Sequence, residues 1–154
     1  MGREIERKFL LRNEDWRGLA VGKSCVQGYL AGSVECCVRV RIAENTATLS
    51  IKGATTGAGR SEFEYGIPLE DARQILATLV REPLIEKTRY TIEYKGFLWE
   101  IDEFHGRNQG LIVAEIELEH ADQSFEKPAW IGEEVTGDPR YYNANLARAP
   151  YGEW

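Results

Sequence analysis

Charged side chains recur at every second position in this chain. "EIERKF" sets Glu4, Glu6 and Lys8 two apart, and in an extended strand such residues share one face. "RVR" does the same for Arg39 and Arg41, "LSIKG" for Ser50 and Lys52, and "EFEY" for Glu62 and Glu64. "IEKTRY" contributes Lys87 and Arg89, "WEIDEF" Glu100 and Asp102, and "AEIELE" Glu115, Glu117 and Glu119. Carboxylates suit a hard divalent cation, whereas lysine and arginine suit phosphate or another oxyanion. A face holding both suits a ligand that is anionic and metal-bound. A half-buried antiparallel sheet also alternates apolar and polar residues, with its charges simply facing water. Two features weigh against that plain reading. The polar faces carry few Ser, Thr, Gln or Asn residues, and whole strands are of one sign.

The elements that must position these residues follow from periodicity. Alternating segments at Arg3–Leu11, Val26–Leu30, Cys36–Ile42, Ala47–Gly53 and Arg60–Ile67 read as strands. Pro68–Val80 changes period and puts Leu69, Ala72, Ile75, Leu76, Leu79 and Val80 on one helical stripe, with Glu70 and Asp71 in its first turn. Alternation resumes at Leu84–Tyr94, Phe97–Phe104 and Leu111–Glu119, and "GDPRYYNANLARA" reads as a short helix capped by Asp138. About eight strands with one inserted helix and a helical tail predict a mainly β, antiparallel barrel or sandwich. No helices alternate with the strands, so a parallel doubly wound sheet is excluded.

Bulk properties narrow the function. The 154 residues, 43% hydrophobic and 29% charged, fit a single domain spanning 1–154. No apolar run reaches membrane-spanning length and the start is charged rather than signal-like, so a cytoplasmic protein is expected. Cys25, Cys36 and Cys37 form neither a disulfide framework nor a zinc spacing, and two histidines are too few for a histidine metal cluster. A net charge of −6 argues against nucleic acid as a partner.

Closing the sheet forces a choice between charges outward and charges inward. An inward set is too costly unless it pairs and coordinates ions. The apolar outer face would then need covering by the inserted helix and the tail, or by a second subunit in a homodimer.

At this point the motifs resemble a known family. Glu4-x-Glu6-x-Lys8 is similar to the ExExK signature of the CYTH domain, the triphosphate tunnel metalloenzyme superfamily. "QGYL", "RVR", "LSIKG", "EFEY", "IEKTRY", "WEIDEF", "AEIELE" and "GEEVTGDPRYYNANLA" follow in matching order. The resemblance spans nearly the whole chain and is strongest to the short, single-domain bacterial members. It implies an eight-stranded antiparallel closed β-barrel with a charged interior, and a hydrolase acting on triphosphates with Mg²⁺ or Mn²⁺. It implies phosphate binding by Lys8, Arg39, Arg41, Lys52, Lys87 and Arg89. It implies metal binding among Glu4, Glu6, Glu62, Glu64, Asp102, Glu115 and Glu117, with Glu117 favoured as a direct ligand. Tyr29, Lys87 and Glu117 are the residues expected to act in the chemistry, the first two with proton affinities lowered by the cationic surroundings. Arg140 is expected to close over the tunnel mouth or to anchor the tail. Cys37 shares a face with Arg39, where some relatives carry a glutamate.

The expected substrate is inorganic tripolyphosphate, with ATP a further one. Two alternatives remain at this stage. A CYTH-type adenylyl cyclase would need a nucleoside pocket, which no motif identifies. A non-catalytic polyphosphate- or nucleotide-binding module would need the basic residues but not the carboxylates.

Overall fold

A computed structural model describes residues 2–32 and 35–154. Its strands are β1 (Glu4–Leu11), β2 (Lys23–Gly32), β3 (Cys36–Ala43), β4 (Thr46–Gly53), β5 (Gly59–Arg60) and β6 (Glu62–Ile67). After helix α1 (Leu69–Thr78) come β7 (Ile85–Tyr94), β8 (Phe97–Phe104), β9 (Ile112–Glu117), β10 (Ile131–Glu134) and helix α2 (Asn143–Arg148). All form one antiparallel sheet in the order β10-β1-β9-β8-β7-β2-β3-β4-β6, with β5 paired to β1. The mainly β, antiparallel fold expected from periodicity is present. The sheet curls, but no continuous ladder closes it. Among the described residues its two margins meet where β5 joins the start of β1, through Glu4 opposite Arg60 and Ile5 opposite Gly59. Backbone bonds from Glu62 N to Gly2 O (3.1 Å) and from Glu6 N to Ala58 O (3.0 Å) hold the same seam.

Side-chain parity sorts the two faces. On the outside, Phe9, Trp99, Ile101, Ala114 and Ile116 are fully buried. They lie beneath Trp16, Phe125 and Trp130, which belong to the connections after β1 and β9. Outer residues of β2, β3 and β4, including Val26, Val40, Ile42 and Leu49, pack under Ala72, Leu76 and Ile75 of α1. Gly28 permits that approach, since a Cβ there would lie 2.9 Å from Leu84 and Val80 side-chain atoms. Farther along β6 the cover ends, and Phe63 and Tyr65 are exposed.

The tail does something the sequence reading did not foresee. Its apolar residues Tyr141, Leu146 and Ala147 pack on Ile85, Phe104, Leu111 and Val113. Ile85, Phe104 and Val113 have the parity of Lys87, Asp102 and Glu115, so the tail fills one end of the interior rather than covering the exterior. The single expected tail helix is two pieces. Asp138 caps a 3₁₀ turn at Pro139–Tyr141, accepting from Arg140 N at 3.1 Å, and α2 begins afresh at Asn143. Arg140 anchors this tail: it is exposed, pairs with Asp138 at 2.8 Å and lies over the Tyr141 and Trp154 rings.

Candidate functional site

The charged faces converge on one cavity of about 820 Å³. Glu4, Glu6 and Lys8 of β1, Glu115 and Glu117 of β9, and Glu100 of β8 line one part of it. Arg39 and Arg41 of β3, Tyr29 of β2, Lys52 of β4, Glu62 and Glu64 of β6, and Lys87 and Arg89 of β7 line the rest. Antiparallel pairing with period-two alternation places them there: every inward residue meets another inward residue across the ladder. Glu6 lies opposite Glu117 and Lys8 opposite Glu115, while Glu115 also lies opposite Glu100. Arg39 is opposite Tyr29, Lys52 opposite Cys37 and Glu62.

Asp102 differs from the other expected metal ligands. It does not line the cavity but sits beneath it, 1% exposed. Its carboxylate accepts from Lys87 Nζ at 2.8 Å, Arg89 Nε at 2.7 Å and Arg89 Nη2 at 2.8 Å. Burial alone would raise its proton affinity, but these two cations outweigh burial and hold it ionised. Both carboxylate oxygens are thereby committed to positioning two basic side chains. Burial, reinforced by the charges of Arg89 and Arg41 and opposed by Asp102, pushes Lys87 down to about 8. Tyr29 departs from expectation: burial outweighs the nearby Arg39 charge, and its proton affinity is raised, not lowered.

Near the seam, Glu4 accepts from Lys52 Nζ at 3.1 Å and from Arg60 Nε at 2.8 Å. Burial opposes its ionisation, yet the hydrogen bond from Glu62 and the Lys52 and Arg60 charges hold it down to about 2. Glu62 is the counterpart, pushed up to about 7 by burial and by that bond to Glu4. One proton shared between two carboxyls explains both directions.

Across β1 and β9 Lys8 pairs with Glu115 at 3.5 Å, but Glu6 and Glu117 have no such compensation. Among the described residues neither Glu6 nor Glu117 receives a hydrogen bond or an ion pair. Burial and the Glu115 charge push Glu6 up to about 7. Burial, with the Glu4 and Glu100 charges, raises Glu117 as well. Like charges directly opposite each other on a sheet are destabilising, so this pair suits a cation between them. No three His, Cys, Asp or Glu side chains among the described residues are already gathered at metal-holding distance. A carboxylate pair nonetheless fits magnesium-like ions, which bind through one or two carboxylates and fill the remaining positions with substrate oxygens and water.

The basic wall is only partly compensated. Among the described residues Arg41 donates to Gln27 Oε1, at 2.9 Å, and no carboxylate lies within ion-pair distance of it. Arg39 Nε is buried without a partner, although its Nη2 reaches Ser50 at 3.1 Å and Glu64 at 3.5 Å.

Sequence reasoning passed over several lining residues. Arg60, Tyr142, Asn143 and Arg148 all face the cavity, and Gln27 lies fully buried behind it. Arg60 shares the parity of Glu62 and Glu64 in the Arg60–Ile67 segment, so alternation could have placed it on the cavity face. Gln27 and Asn143 are neutral and so escape a search for charge, yet "QGYL" and "YYNANLA" were both among the matching motifs.

Comparison with known proteins agrees with this arrangement. The chain is 48% identical over 151 residues to an inorganic triphosphatase of Acetivibrio thermocellus, covering 98% of this chain and 97% of that one. It is 38% identical over 151 residues to an inorganic triphosphatase of Nitrosomonas europaea, covering 94% and 96% respectively. Among solved structures, the crystal structure of the inorganic triphosphatase NE1496 superposes with a TM-score of 0.67 at 32% identity, covering 93% of this chain and 96% of that chain. The profile of the CYTH domain matches residues 2–151, and the chain belongs to that family.

Proposed function

We propose that this protein hydrolyses inorganic tripolyphosphate to pyrophosphate and phosphate, with a divalent cation, Mg²⁺ or Mn²⁺, as cofactor. One observation carries the reading: a cavity in which Glu6 faces Glu117 with no cation paired to either among the described residues, set across from a basic wall where Arg41 has no carboxylate partner among them and the Arg39 Nε is left unbonded. A metal-bound chain of phosphates is complementary to both. The names of the triphosphatase relatives agree with it.

Arg39 and Arg41 offer forks of donors to phosphate oxygens, and Lys8 and Lys52 offer compact charges on either side. Glu6 and Glu117 are the residues that would hold the cation, with Glu115 beside them. The bound cation supplies neutralisation of phosphate charge, which a loose phosphoryl-transfer transition state requires. Lys87 accepts the proton of the attacking water. As the water oxygen bonds to the terminal phosphorus, the bridging P–O bond breaks and its electron pair leaves with pyrophosphate. Asp102 holds Lys87 and Arg89 in place throughout. Tyr29, with its raised proton affinity, stays a neutral hydroxyl and contributes packing and a hydrogen bond from Gln27 (3.1 Å).

The test is a phosphate-release assay over tripolyphosphate, ATP, thiamine triphosphate and pyrophosphate, with Mg²⁺ and Mn²⁺ compared. Tripolyphosphate is turned over and EDTA abolishes the activity. Robust turnover without divalent ion contradicts the mechanism, and cyclic AMP as the main product from ATP would replace it with a cyclase.

A further inference from the structure

The reaction above needs Lys87 to present one direction of its nitrogen to water, yet an amine at the end of four methylenes rotates freely unless something holds it. Asp102 Oδ2, at 2.8 Å from Lys87 Nζ, provides one restraint. A second comes from outside the sheet. Asn143, the first residue of α2, places its Oδ1 3.0 Å from the same nitrogen. The orientation of that amide is not arbitrary. Gln27 Nε2 also donates to Asn143 Oδ1, at 3.3 Å. Gln27 is in turn fixed, because its Oε1 accepts from Arg41 Nε at 2.9 Å. With two donors aimed at it, the Asn143 atom facing Lys87 must be the oxygen.

We propose that Asn143 is a positioning residue for hydrolysis: its Oδ1 and Asp102 Oδ2 engage two Nζ hydrogens and so aim the remaining direction of Lys87 at the attacking water. Two acceptors match the two hydrogens of a neutral amine and leave its lone pair for the cavity that Lys87 lines and Asp102 does not. The tail thereby completes the site. Its apolar face seats α2 on Ile85, Phe104 and Val113, and that seating sets the Asn143 oxygen over Lys87. A chain in which the tail has not docked would carry every charged residue that the strands place in the cavity and still lack an aimed base. This inference rests on the role of Lys87 proposed above.

Steady-state hydrolysis of tripolyphosphate with Mg²⁺ tests it, first in the unaltered protein and in Lys87→Gln. Failure of the former, or full activity of the latter, sinks the proposed chemistry itself. With those controls as expected, Asn143→Leu removes the acceptor at similar volume and lowers kcat by about 100-fold, the lower range for a mispositioned proton acceptor. KM stays within about threefold, because no phosphate contact is lost. Asn143→Asp restores an acceptor oxygen and recovers at least about tenfold of that loss. A merely structural role predicts no such split and no such rescue. An Asn143→Leu enzyme with kcat within about threefold of the parent overturns the inference, and so does an Asn143→Asp enzyme as impaired as Asn143→Leu. If the variants do not fold, NMR of the unaltered protein decides: the Lys87 Nζ group must rotate more slowly than that of the exposed Lys23, and equal rotation overturns the proposal.

Discussion

Two corners of the cavity solve the same problem in opposite ways. At β7 and β8, Lys87, Asp102 and Arg89 are buried together and satisfy one another within 2.8 Å. At β1 and β9, Glu6 and Glu117 stand opposite each other with no cation of the described chain between them. The first corner is complete as folded, and its charges serve geometry. The second is incomplete as folded, and the energy withheld there becomes available when a ligand supplies the missing charge. Residues that build a site and residues that wait for its ligand can therefore be told apart by whether their partners are already present.

The widest separation between the corners should appear on truncation. Asp102→Ala leaves the buried Lys87 without its carboxylate partner, although Arg89 keeps Glu100 at 2.9 Å, and is expected to destabilise the fold by about 3 kcal/mol, the usual cost of breaking a buried pair from one side. Chemical denaturation measures it, and a loss below about 1 kcal/mol would mean that water already reaches the pair. Glu6→Gln should do the reverse. It relieves the burial of a carboxylate beside the charges of Glu115 and Glu4 in the metal-free protein, so stability holds or rises. Turnover of tripolyphosphate meanwhile falls by more than about 100-fold, beyond what loss of an outer-shell partner of a metal produces. Gains in stability bought with activity are common at sites held in strained arrangements.

The pH dependence sharpens the contrast. Only the free amine of Lys87 accepts a proton, and burial holds Lys87 near 8, so kcat/KM should climb as pH rises through about 8. A rate that declines across that range would mean that the ammonium form is the one used. Glu6, raised to about 7, binds its proton below that pH and its cation above it. The Mg²⁺ concentration for half-maximal activity should therefore increase as pH falls below about 7, and a constant value would count against Glu6 as a ligand. The smallest effect expected is on the basic wall. Arg41→Met removes one charge-assisted contact of about 1.5 kcal/mol and should raise KM for tripolyphosphate about tenfold, with kcat less affected.

Much of the fold was legible because alternation was strong wherever a strand had one wet and one dry face. Val38, Val40 and Ile42 against Arg39 and Arg41 mark β3 without ambiguity, and the same parity places both arginines on the cavity side. β10 was not anticipated. Its four residues, Ile131–Glu134, include Gly132 and follow Pro128 too closely for a period to register. β5 is shorter still, and its pairing with β1 depends on tertiary closure that no local pattern carries. Parity could say that Asp102 faces inward, but not that Lys87 and Arg89 would claim it from below while Glu6 remained unclaimed. That distinction depends on depth along the strand. The tail was the largest gap. The sequence placed it as a cover for the apolar exterior, and only the packing of Tyr141 and Leu146 on inward residues reveals that it plugs the interior and brings Asn143 to Lys87.

The most direct measurement of the Glu6–Glu117 pair is thermal unfolding of the unaltered protein and Glu6→Gln, each with and without Mg²⁺. In EDTA, Glu6→Gln should melt at or above the unaltered protein, and the rise in Tm that Mg²⁺ gives the unaltered protein should be absent or much reduced in the variant. A variant that melts several degrees lower in EDTA and keeps the full Mg²⁺-induced rise would show that Glu6 is paired within the fold and takes no part in holding the cation.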